Sequence, residues 1–598
     1  MDRNQTIGLV LMSMLVLIYF QFFAPKPEIP LEENPPIEQS ISTEASPALS
    51  PVITAIDSAA RQEKLAQMGT LATAAEGEEK EVVLENQLVQ FTFSTKGGMV
   101  KKVVLKDFQT YTKEPLVLID ELNNTQSLTL PLANPIAIND LYFTASASET
   151  RVENDTLTLR FSVATETGTL VQEYTLAPNS YELGYKLITS QSGQNFTSNS
   201  ALFAWSENMK KLENDLQDSR NKSSVNYYTN TGNFETVGAN GIDLTEESPE
   251  ESVRWIALKQ KFFTAALISK DNFKVNFIRT EGKESDTTYV KNTSFESVVS
   301  LEDLEKGNLS FYYGPNNYKI LKKVTEGFSE NIDLGWALFS WINKFVIIQV
   351  FQFLEKYISN YGIIIILLVL FIKLILSPLS YSSYLSMAKM KILKPELDEL
   401  KEKYGDDMQK IQSEQMQLYS KAGVNPLSGC IPLLLQMPIL LAMFNFFPNS
   451  IELRQEAFLW ADDLSTYDNI LNLPFSIPFY GSHVSLFTIL MTASTILYTW
   501  SNNQVSTVTG PMKQLSYIMP VMFMFVLNSF PASLSFYYFV SNMVTFGQQY
   551  IIRQFVDEEK LKKIMEENKK KNQNKTKSSF QQRIEEAMKA SKEAKGKK

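Results

Sequence analysis

The spacing of apolar residues divides the chain into two unlike halves. From about residue 81 to residue 318, short runs such as 156–163 and 181–187 alternate apolar and polar positions, and Gly, Asn, Ser and Pro separate them. Alternation at period two is typical of strands with one buried face. From about 360 to 555, long apolar runs predominate instead. The pattern therefore predicts a large antiparallel β-sandwich followed by a polytopic α-helical membrane region.

The apolar runs predict six membrane spans. Five lie in the C-terminal half, at 361–380, 430–447, 484–500, 515–530 and 532–553. The remaining span is the first along the chain. It begins at Ile7 and stays long and bulky to its end at Ala24, without the small-residue pattern of a cleavage site. We therefore predict an uncleaved anchor there, with a cleaved signal peptide as the alternative.

Composition marks out the segments between these parts. Residues 25–80 are rich in Pro, Glu, Ser and Ala, which predicts a disordered tether. Residues 319–358 return to helical spacing and carry several aromatics, typical of a helix in the membrane interface, although a core helix of the sandwich has the same pattern. The predicted organisation is an anchor (1–24), tether (25–80), periplasmic β-sandwich (81–318), connecting and interfacial helices (319–358), five-helix core (359–555) with a cytoplasmic helical hairpin (381–428), and basic cytoplasmic tail (556–598).

The distribution of positive charge predicts the orientation. The loop 381–428 and the C-terminal tail are rich in lysine, whereas the loop 448–483 has only Arg454. Cytoplasmic loops carry the excess of Lys and Arg in membrane proteins. Both termini and the hairpin are therefore predicted in the cytoplasm, and the sandwich on the opposite side.

The chain offers little material for covalent or metal chemistry. Its 598 residues include one cysteine, Cys430, and one histidine, His483. A single cysteine excludes an intrachain disulfide, and one cysteine with one histidine excludes a Cys/His zinc cluster. The sequence around His483 gives no Ser-His-Asp arrangement, and no phosphate-binding Gly-rich loop is present. The composition argues against an enzyme and calls for no cofactor or metal.

Lys373 is the most informative single residue because it stands in an otherwise apolar run of the second span. A cation in the middle of such a helix costs about 2.5–3.5 kcal/mol on insertion scales. A polar partner or a hydrated cavity would offset that cost. Snorkelling of the side chain to the polar end of the helix is the alternative.

Other polar residues in the spans follow helical spacing and predict one hydrated cavity. Such stripes also hold helices together without any cavity, which is the alternative. The stripe residues are Lys373, Ser377 and Ser380 in the second span, Gln436 in the third, Thr488, Thr492, Thr495 and Thr499 in the fourth, Asn528 in the fifth, and Ser535, Tyr538, Asn542, Thr545 and Gln549 in the sixth.

The hairpin and the tail, both predicted to be cytoplasmic, each allow two interpretations. The hairpin 381–428 is either a solvated connector or, through Met387, Met390, Met408 and Met416, a surface for varied apolar segments. Gly405 would end its first helix and Asp406 would cap its second. The Lys-rich tail serves topology, or it binds anionic lipid or RNA, the latter as a ribosome.

Several motifs together resemble the YidC family of membrane protein insertases along nearly the whole chain except the tether. They are Ser-Met-Ala-Lys-Met at 386–390, Leu-Lys-Pro at 393–395, Tyr-Gly-Asp-Asp at 404–407, the run 425–438 from Asn-Pro-Leu to Gln-Met-Pro, Phe-Tyr-Tyr-Phe-Val-Ser-Asn at 536–542, Gln-Gln at 548–549, Trp255, Lys-Phe-Phe at 261–263 and Phe-Tyr-Tyr-Gly-Pro at 311–315.

The resemblance implies a bacterial inner-membrane protein that inserts and folds nascent membrane proteins, alone or with the Sec translocon. It implies a five-helix core around a hydrophilic groove, with a positive residue that attracts polar segments of the substrate. Lys373 matches that residue, where well-known members have arginine, and Gln436, Tyr537 and Tyr538 match positions that line the groove or touch substrate. A solute transporter and a purely structural scaffold are the competing functional classes.

Overall fold

The alternating positions of the N-terminal half form strands, and their apolar side chains point into a common core. In the strand Thr169–Leu176, every second residue from Leu170 is buried. The computed structural model describes residues 68–165, 168–405, 407–425, 431–503 and 511–571. The predicted anchor, the tether as far as residue 67 and the tail beyond residue 571 lie outside these ranges.

The strands follow the chain in short succession, and most are joined by turns. They are β1 (Glu81–Glu85), β2 (Val89–Ser94), β3 (Val100–Gln109), β4 (Pro115–Ile119), β5 (Asn124–Leu130), β6 (Ile136–Ala137), β7 (Thr144–Ala145), β8 (Glu149–Arg151), β9 (Leu157–Ala164), β10 (Thr169–Leu176), β11 (Glu182–Ile188), β12 (Ser200–Lys210), β13 (Ser224–Thr229), β14 (Phe234–Val237), β15 (Thr245–Glu247), β16 (Val253–Lys259), β17 (Phe263–Glu281), β18 (Tyr289–Ser300), β19 (Leu309–Pro315), β20 (Leu471–Ile477) and β21 (Gly481–Val484).

The helices lie mainly in the C-terminal half. They are α1 (Leu216–Lys222), α2 (Leu301–Lys306), α3 (Tyr318–Val324), α4 (Ala337–Ile342), α5 (Ile348–Glu355), α6 (Tyr361–Ile375), α7 (Ser377–Ile392), α8 (Lys394–Tyr404), α9 (Met408–Lys421), α10 (Ile431–Asn449), α11 (Leu486–Asn503), α12 (Pro511–Leu527), α13 (Ala532–Phe555) and α14 (Glu558–Lys571); a π-helical segment, Asn343–Ile347, joins α4 to α5.

Two sheets form the sandwich. One has the order β4-β3-β2-β1-β8, and the larger has the order β6-β5-β12-β18-β17-β19-β11-β10-β9-β7 with β13 to β16 attached beside β17. Aromatic side chains fill the space between them, since the Phe93 ring on β2 lies 4.6 Å from Tyr174 and 5.5 Å from Phe161 in the other sheet. Within the two main sheets, β1 and β8 form the one parallel pair among the described strands. The other pairs of neighbouring strands are antiparallel. The predicted antiparallel sandwich is confirmed.

The sandwich begins earlier along the chain than predicted. Residues 69–74 form a 3₁₀-helix in which Leu71 and Ala74 are buried against the sandwich core. The Thr70 hydroxyl also donates to Gln194 at 2.6 Å. The prediction of a disordered tether is therefore wrong for residues 68–80, because these few apolar side chains find a surface that the composition of the segment does not reveal.

The predicted spans of the C-terminal half correspond to α6, α10, α11, α12 and α13. Among the described residues, one helix, Ala337–Glu355, is by itself long and apolar enough to cross a bilayer, with a mean hydropathy of 1.5. The pair α6 and α7 meets the same criterion if it counts as a single span bent by 63°. The count of six spans stays a prediction.

The helix Ala337–Glu355 packs on the helical core and leaves aromatic side chains exposed. Asn343 donates from Nδ2 to the Ala442 carbonyl of α10 at 2.9 Å, and the Phe351 ring lies 5.4 Å from Phe446. Trp341 and Phe345 are more than half exposed on the other side. This arrangement excludes a core helix of the sandwich and agrees with a helix in contact with lipid.

A buried ion pair fixes the sandwich to the loop that follows α10. Arg454 donates from Nε to Glu213 at 2.7 Å and from a terminal nitrogen to the Gln109 carbonyl at 2.6 Å, and its guanidinium lies 5.1 Å from the Phe263 ring. Burial raises the pKa of the Glu213 carboxyl, and Arg454 offsets this only in part. The only basic residue of the loop therefore joins the two halves of the protein.

A second contact lies beside the first. The Lys261 ammonium pairs with Asp218 at 2.7 Å and donates to the Ser465 carbonyl at 3.3 Å, while Lys222 donates to the Pro448 carbonyl at 3.2 Å. Burial opposes the ionisation of Asp218, but Lys222 and Lys261 outweigh it and lower the pKa of that carboxyl. The Lys-Phe-Phe motif at 261–263 thus lies at the junction of sandwich and helices.

The helical hairpin predicted at 381–428 consists of α8 and α9 and continues from α7. Gly405 ends α8 with φ +55°, as predicted, but the side chain that caps α9 belongs to Asp407, which accepts from the Lys410 amide at 3.1 Å. Asp406 lies outside the described residues. Helix α14 packs on the hairpin through Met565, which is buried with Leu393, Leu397, Tyr419, Ala422 and Val424. The first part of the basic tail is therefore a helix packed on the hairpin, which the Lys-rich composition of the tail does not predict.

Replacing Arg454 by Met should destabilise the junction strongly, because it leaves the Glu213 carboxylate buried without a partner. We expect a loss of about 3 kcal/mol in thermal or denaturant unfolding of the detergent-solubilised chain. The control Arg160→Met breaks a pair of similar length with Glu173 on the sandwich surface, and it should cost less than about 1 kcal/mol. Equal losses in the two variants would contradict a special role for the buried pair.

Glu207 on β12 should make stability depend on pH. Burial raises the pKa of this carboxyl to about 8, and its hydrogen bond from Gln260 offsets the effect only in part. Between the ordinary value of 4.5 and about 8, the folded state keeps a proton that the unfolded state releases, so stability falls as the pH rises, by up to about 1.4 kcal/mol per pH unit.

The substitution Glu207→Gln should remove that slope. Unfolding of the full chain, followed by tryptophan fluorescence from pH 5 to pH 8, measures it. The exposed Glu149→Gln serves as the control and should keep the slope of the unmodified protein. An unchanged slope in Glu207→Gln would show that this carboxyl titrates near its ordinary value.

Candidate functional site

Lys373 lies in the last turn of α6, two residues before the helix ends. The predicted span 361–380 is therefore interrupted, and the lysine is near a helix end rather than the middle of a helix. Leu376 ends α6, and α7 continues with Pro378 in its first turn at an angle of 63°. The negative end of the α6 dipole favours a cation at this position. The side chain is nonetheless buried, with 6% of its surface exposed.

The Lys373 ammonium has an uncharged partner from another helix. Its Nζ donates to Oε1 of Gln436 on α10 at 3.1 Å. Gln548 of α13 donates from Nε2 to the Lys373 carbonyl at 3.0 Å, beside the bend between α6 and α7. Three helices thus meet at one residue. The sequence indicates Lys373 and Gln436 as polar residues of two separate spans, and it indicates Gln548 only as part of the Gln-Gln motif.

A second polar cluster joins α13 to α11. Asn542 donates from Nδ2 to the Ser494 hydroxyl at 2.9 Å and to the Thr495 hydroxyl at 3.0 Å. Asn542 and Gln548 are six residues apart, or roughly 9 Å along the axis, and face different helices. Helix α13 therefore carries both clusters, one on each side. The predicted stripe missed Ser494, whose position beside Thr495 places it off the Thr spacing.

The threonine hydroxyls of α11 mostly bond to backbone or to α13. Thr492 donates to the Thr488 carbonyl at 2.8 Å and Thr495 to the Met491 carbonyl at 2.8 Å. Thr488 itself is fully buried and lies 3.0 Å from the Ser535 hydroxyl of α13. Thr488, and Thr495 through its bond from Asn542, therefore make contact between helices, the alternative that the spacing left open. The Thr492 hydroxyl bonds within α11.

The remaining predicted residues lie around these clusters. Ser377 begins α7 beyond the bend, so it does not continue the straight face of α6 that carries Lys373. Tyr537 is almost fully buried, with its ring 5.6 Å from Phe447 of α10. Its neighbour Tyr538 is half-buried. Val369 is buried one turn before Lys373.

Asn528 does not join the polar residues between the helices, contrary to its place among the predicted stripes. Its side-chain amide donates to the carbonyls of Tyr480 and His483 at 2.8 Å, and its oxygen accepts from the Ser485 amide at 3.0 Å. Asn528 therefore fixes the segment that precedes α11. The chain turns back immediately after α12, and this contact could be found only in the folded structure.

The two clusters offer a positive charge and hydrogen-bonding groups within apolar helices, and they contain no nucleophile with an adjacent base. In the ranges that the structure describes, no group of three or more His, Cys, Asp or Glu side chains could hold a metal ion. What the arrangement can do is bind a polar or anionic group reversibly at the depth of the helices.

Family models match both halves of the chain. The model described as "YidC periplasmic domain" matches residues 81–348, and the model described as "60Kd inner membrane protein" matches residues 353–560. The solved structure described as "Active YidC insertase crystal structure with the first transmembrane domain resolved" is 18% identical, with a TM-score of 0.33, over 83% of this chain and 99% of that chain.

Two relatives are similar along their full length. The membrane protein insertase YidC of Amoebophilus asiaticus is 45% identical over 609 residues and covers 100% of both chains. The membrane protein insertase YidC of Cytophaga hutchinsonii is 45% identical over 612 residues and covers 98% of each. On these full-length similarities, the chain belongs to the YidC family of membrane protein insertases.

Proposed function

We propose that the contact between Lys373 and Gln436 is the point at which this insertase receives the polar segment of a nascent membrane protein. The hydrogen bond between the Lys373 ammonium and the Gln436 amide carries the proposal. An amide satisfies one donor of the ammonium and leaves its charge uncompensated. The pair is therefore suited to exchange Gln436 for a better partner.

A carboxylate of the client protein is such a partner. Charge-assisted hydrogen bonds are shorter and about twice as strong as neutral ones. The gain is larger in a medium of low dielectric constant than in water. An acidic residue near the end of a client segment would thus be held at Lys373 while it crosses the membrane, with the hydroxyls and amides of α11 and α13 as further partners in a hydrophilic groove.

The apolar part of the client would enter lipid beside α6 and α12. Exposed apolar side chains cover these helices, including Leu370 and Leu374 on α6 and Ile518 and Phe523 on α12. Transfer of a client helix from water to such surroundings is favourable by about 25 cal/mol per Å² of apolar surface. This free energy drives insertion, so the proposal includes no covalent step, nucleotide, metal or other cofactor, and the protein acts as an insertase and chaperone rather than as an enzyme.

The hairpin and α14 form one surface on the side proposed to be cytoplasmic. Lys391 pairs with Glu558 at 3.3 Å, Lys569 pairs with Glu396, and Met565 packs between them on the hairpin. The Lys-rich residues that follow are suited to RNA, so we assign ribosome binding to this surface. Cooperation with the Sec translocon, and the cytoplasmic location of both termini, belong to the same proposal and follow from the family and from the charge distribution.

Insertion of a single-span client with a short acidic tail tests the role of the charge. Proteoliposomes that contain only this chain would be scored by protease protection of the tail. Lys373→Glu should reduce insertion about tenfold or more, because it replaces attraction of the tail by repulsion. Lys373→Ala should have an intermediate effect, and Gln436→Glu should resemble it because an internal carboxylate then occupies the ammonium.

The same charge reversal at Lys102, an exposed residue of β3, is the matched control and should insert the client normally. A client whose tail lacks acidic residues should lose less with Lys373→Glu than the acidic client does. Equal insertion by all variants would contradict the proposal that the charge takes part. Failure of the unmodified chain with every client would contradict insertion without the Sec translocon.

A further inference from the structure

The loop between α10 and α11 carries a hairpin with several exposed apolar side chains. Strands β20 and β21 pair with Leu471 opposite Val484 and Ile477 opposite Gly481. Leu471, Phe475 and Phe479 are 57%, 60% and 59% exposed. Leu471 lies at the open end of the hairpin, whereas Phe475 and Phe479 lie towards its turn, and we call these two phenylalanine side chains the hairpin tip. Large apolar side chains clustered at the surface mark a place of contact with another apolar body.

The sequence around the tip has no charged side chain. From residue 469 through α11 to residue 512 there is no Asp, Glu, Lys or Arg, whereas Asp462, Asp463 and Asp468 come just before. Strands that meet water at a sheet edge usually carry charged residues, which prevent pairing with other chains. The hairpin lacks this protection. It shares the absence of charged residues with α11, the helix that follows it.

The hairpin is held at its turn and along its second strand. Asn528 is fully buried and binds the backbone of Tyr480, His483 and Ser485. The ring of Tyr467 stacks on His483 with 3.7 Å between ring centres. The tip therefore has a fixed height relative to the turn between α12 and α13.

The hairpin also continues the apolar outer face of α12. The Tyr480 ring lies 5.4 Å from Phe525, and Phe525 is exposed on the same helix as Ile518, Met522 and Phe523. That face is suited to lipid because α12 has no acidic residue and Lys513 is its only basic one. The exposed apolar surface of α12 is thus continuous with the hairpin through the contact between Phe525 and Tyr480.

We propose that the hairpin tip lies in the phospholipid leaflet on the side of the sandwich and sets the depth of the α12–α13 turn in the membrane. The loop that carries the hairpin also carries Arg454, which pairs with Glu213 of the sandwich, so the tip and the sandwich share one side. This contact is independent of how Lys373 takes part in insertion.

The backbone limits how deeply the tip enters. A two-stranded ribbon has unpaired amide and carbonyl groups along its outer edges, and hydrocarbon cannot hydrogen-bond to them. Pro474 and Pro478 each lack an amide donor, which reduces this cost but does not remove it. The tip therefore lies among the headgroups and the first carbons of the acyl chains.

Fluorescence quenching in proteoliposomes tests the contact. The native Cys430 is replaced by Ser, Phe475→Cys is introduced into the full chain, and the thiol carries an NBD label. The vesicles contain equal parts of phosphatidylethanolamine and phosphatidylglycerol, with lipid that bears a nitroxide near the top or at the end of the acyl chain. We expect severalfold stronger quenching by the shallow nitroxide than by the deep one, and little quenching by aqueous iodide.

Leu122→Cys, labelled in the same way, is the matched control, because Leu122 is an apolar side chain that is 79% exposed in the sandwich. Its label should respond to iodide and not to either nitroxide. Phe479→Cys provides a second position on the tip and should behave like Phe475→Cys. Iodide quenching at the tip equal to that at Leu122 would overturn the proposal. Protection from iodide without quenching by lipid would also overturn it, and would indicate that a second protein covers the tip.

Discussion

The hydrogen bond between the Lys373 ammonium and the Gln436 amide joins α6 to α10, and the proposed function depends on it. A cation among apolar helices needs a polar partner, and in this protein the partner is neutral. The charge stays uncompensated, which costs stability but keeps affinity for an anionic group. A carboxylate at position 436 would compensate the ammonium charge, and in the proposed mechanism it would compete with the carboxylate of the client for Lys373.

Helix α13 makes this arrangement possible because it contacts the helices on both sides. Gln548 binds the carbonyl of Lys373, and Asn542 binds two hydroxyls of α11. Hydrogen bonds of this kind between membrane helices contribute about 0.6 kcal/mol each on average. They are weak individually, so their main effect is to set the positions of the helices. The bend of 63° at Leu376 ends α6 two residues after Lys373, so it also helps to set the position of Lys373 relative to α7.

The two halves of the protein are coupled by charged side chains that are mostly buried. Arg454 and Glu213 join the loop after α10 to the sandwich, and Lys261 with Asp218 supports the contact. Helix α10 also carries Gln436, so the sandwich holds one end of the helix that provides the partner of Lys373. On the other side, α14 rests on the hairpin through Met565. The core is thus held from both ends by contacts that involve no client.

The sequence alone determined what depends on local spacing and on single unusual residues. The period of two in β9 and β11 gave the sandwich, the apolar runs gave the positions of α6 and α10 to α13, and one lysine in an apolar run marked the candidate site. The tertiary structure decided which groups meet. Lys373 and Gln436 are 63 residues apart, and Arg454 and Glu213 are 241 apart, and no periodicity along the chain records such pairs. The bend at Leu376, the role of Asn528 and the burial of Leu71 likewise depend on neighbours that are distant in sequence, because packing and hydrogen bonding are properties of the folded chain.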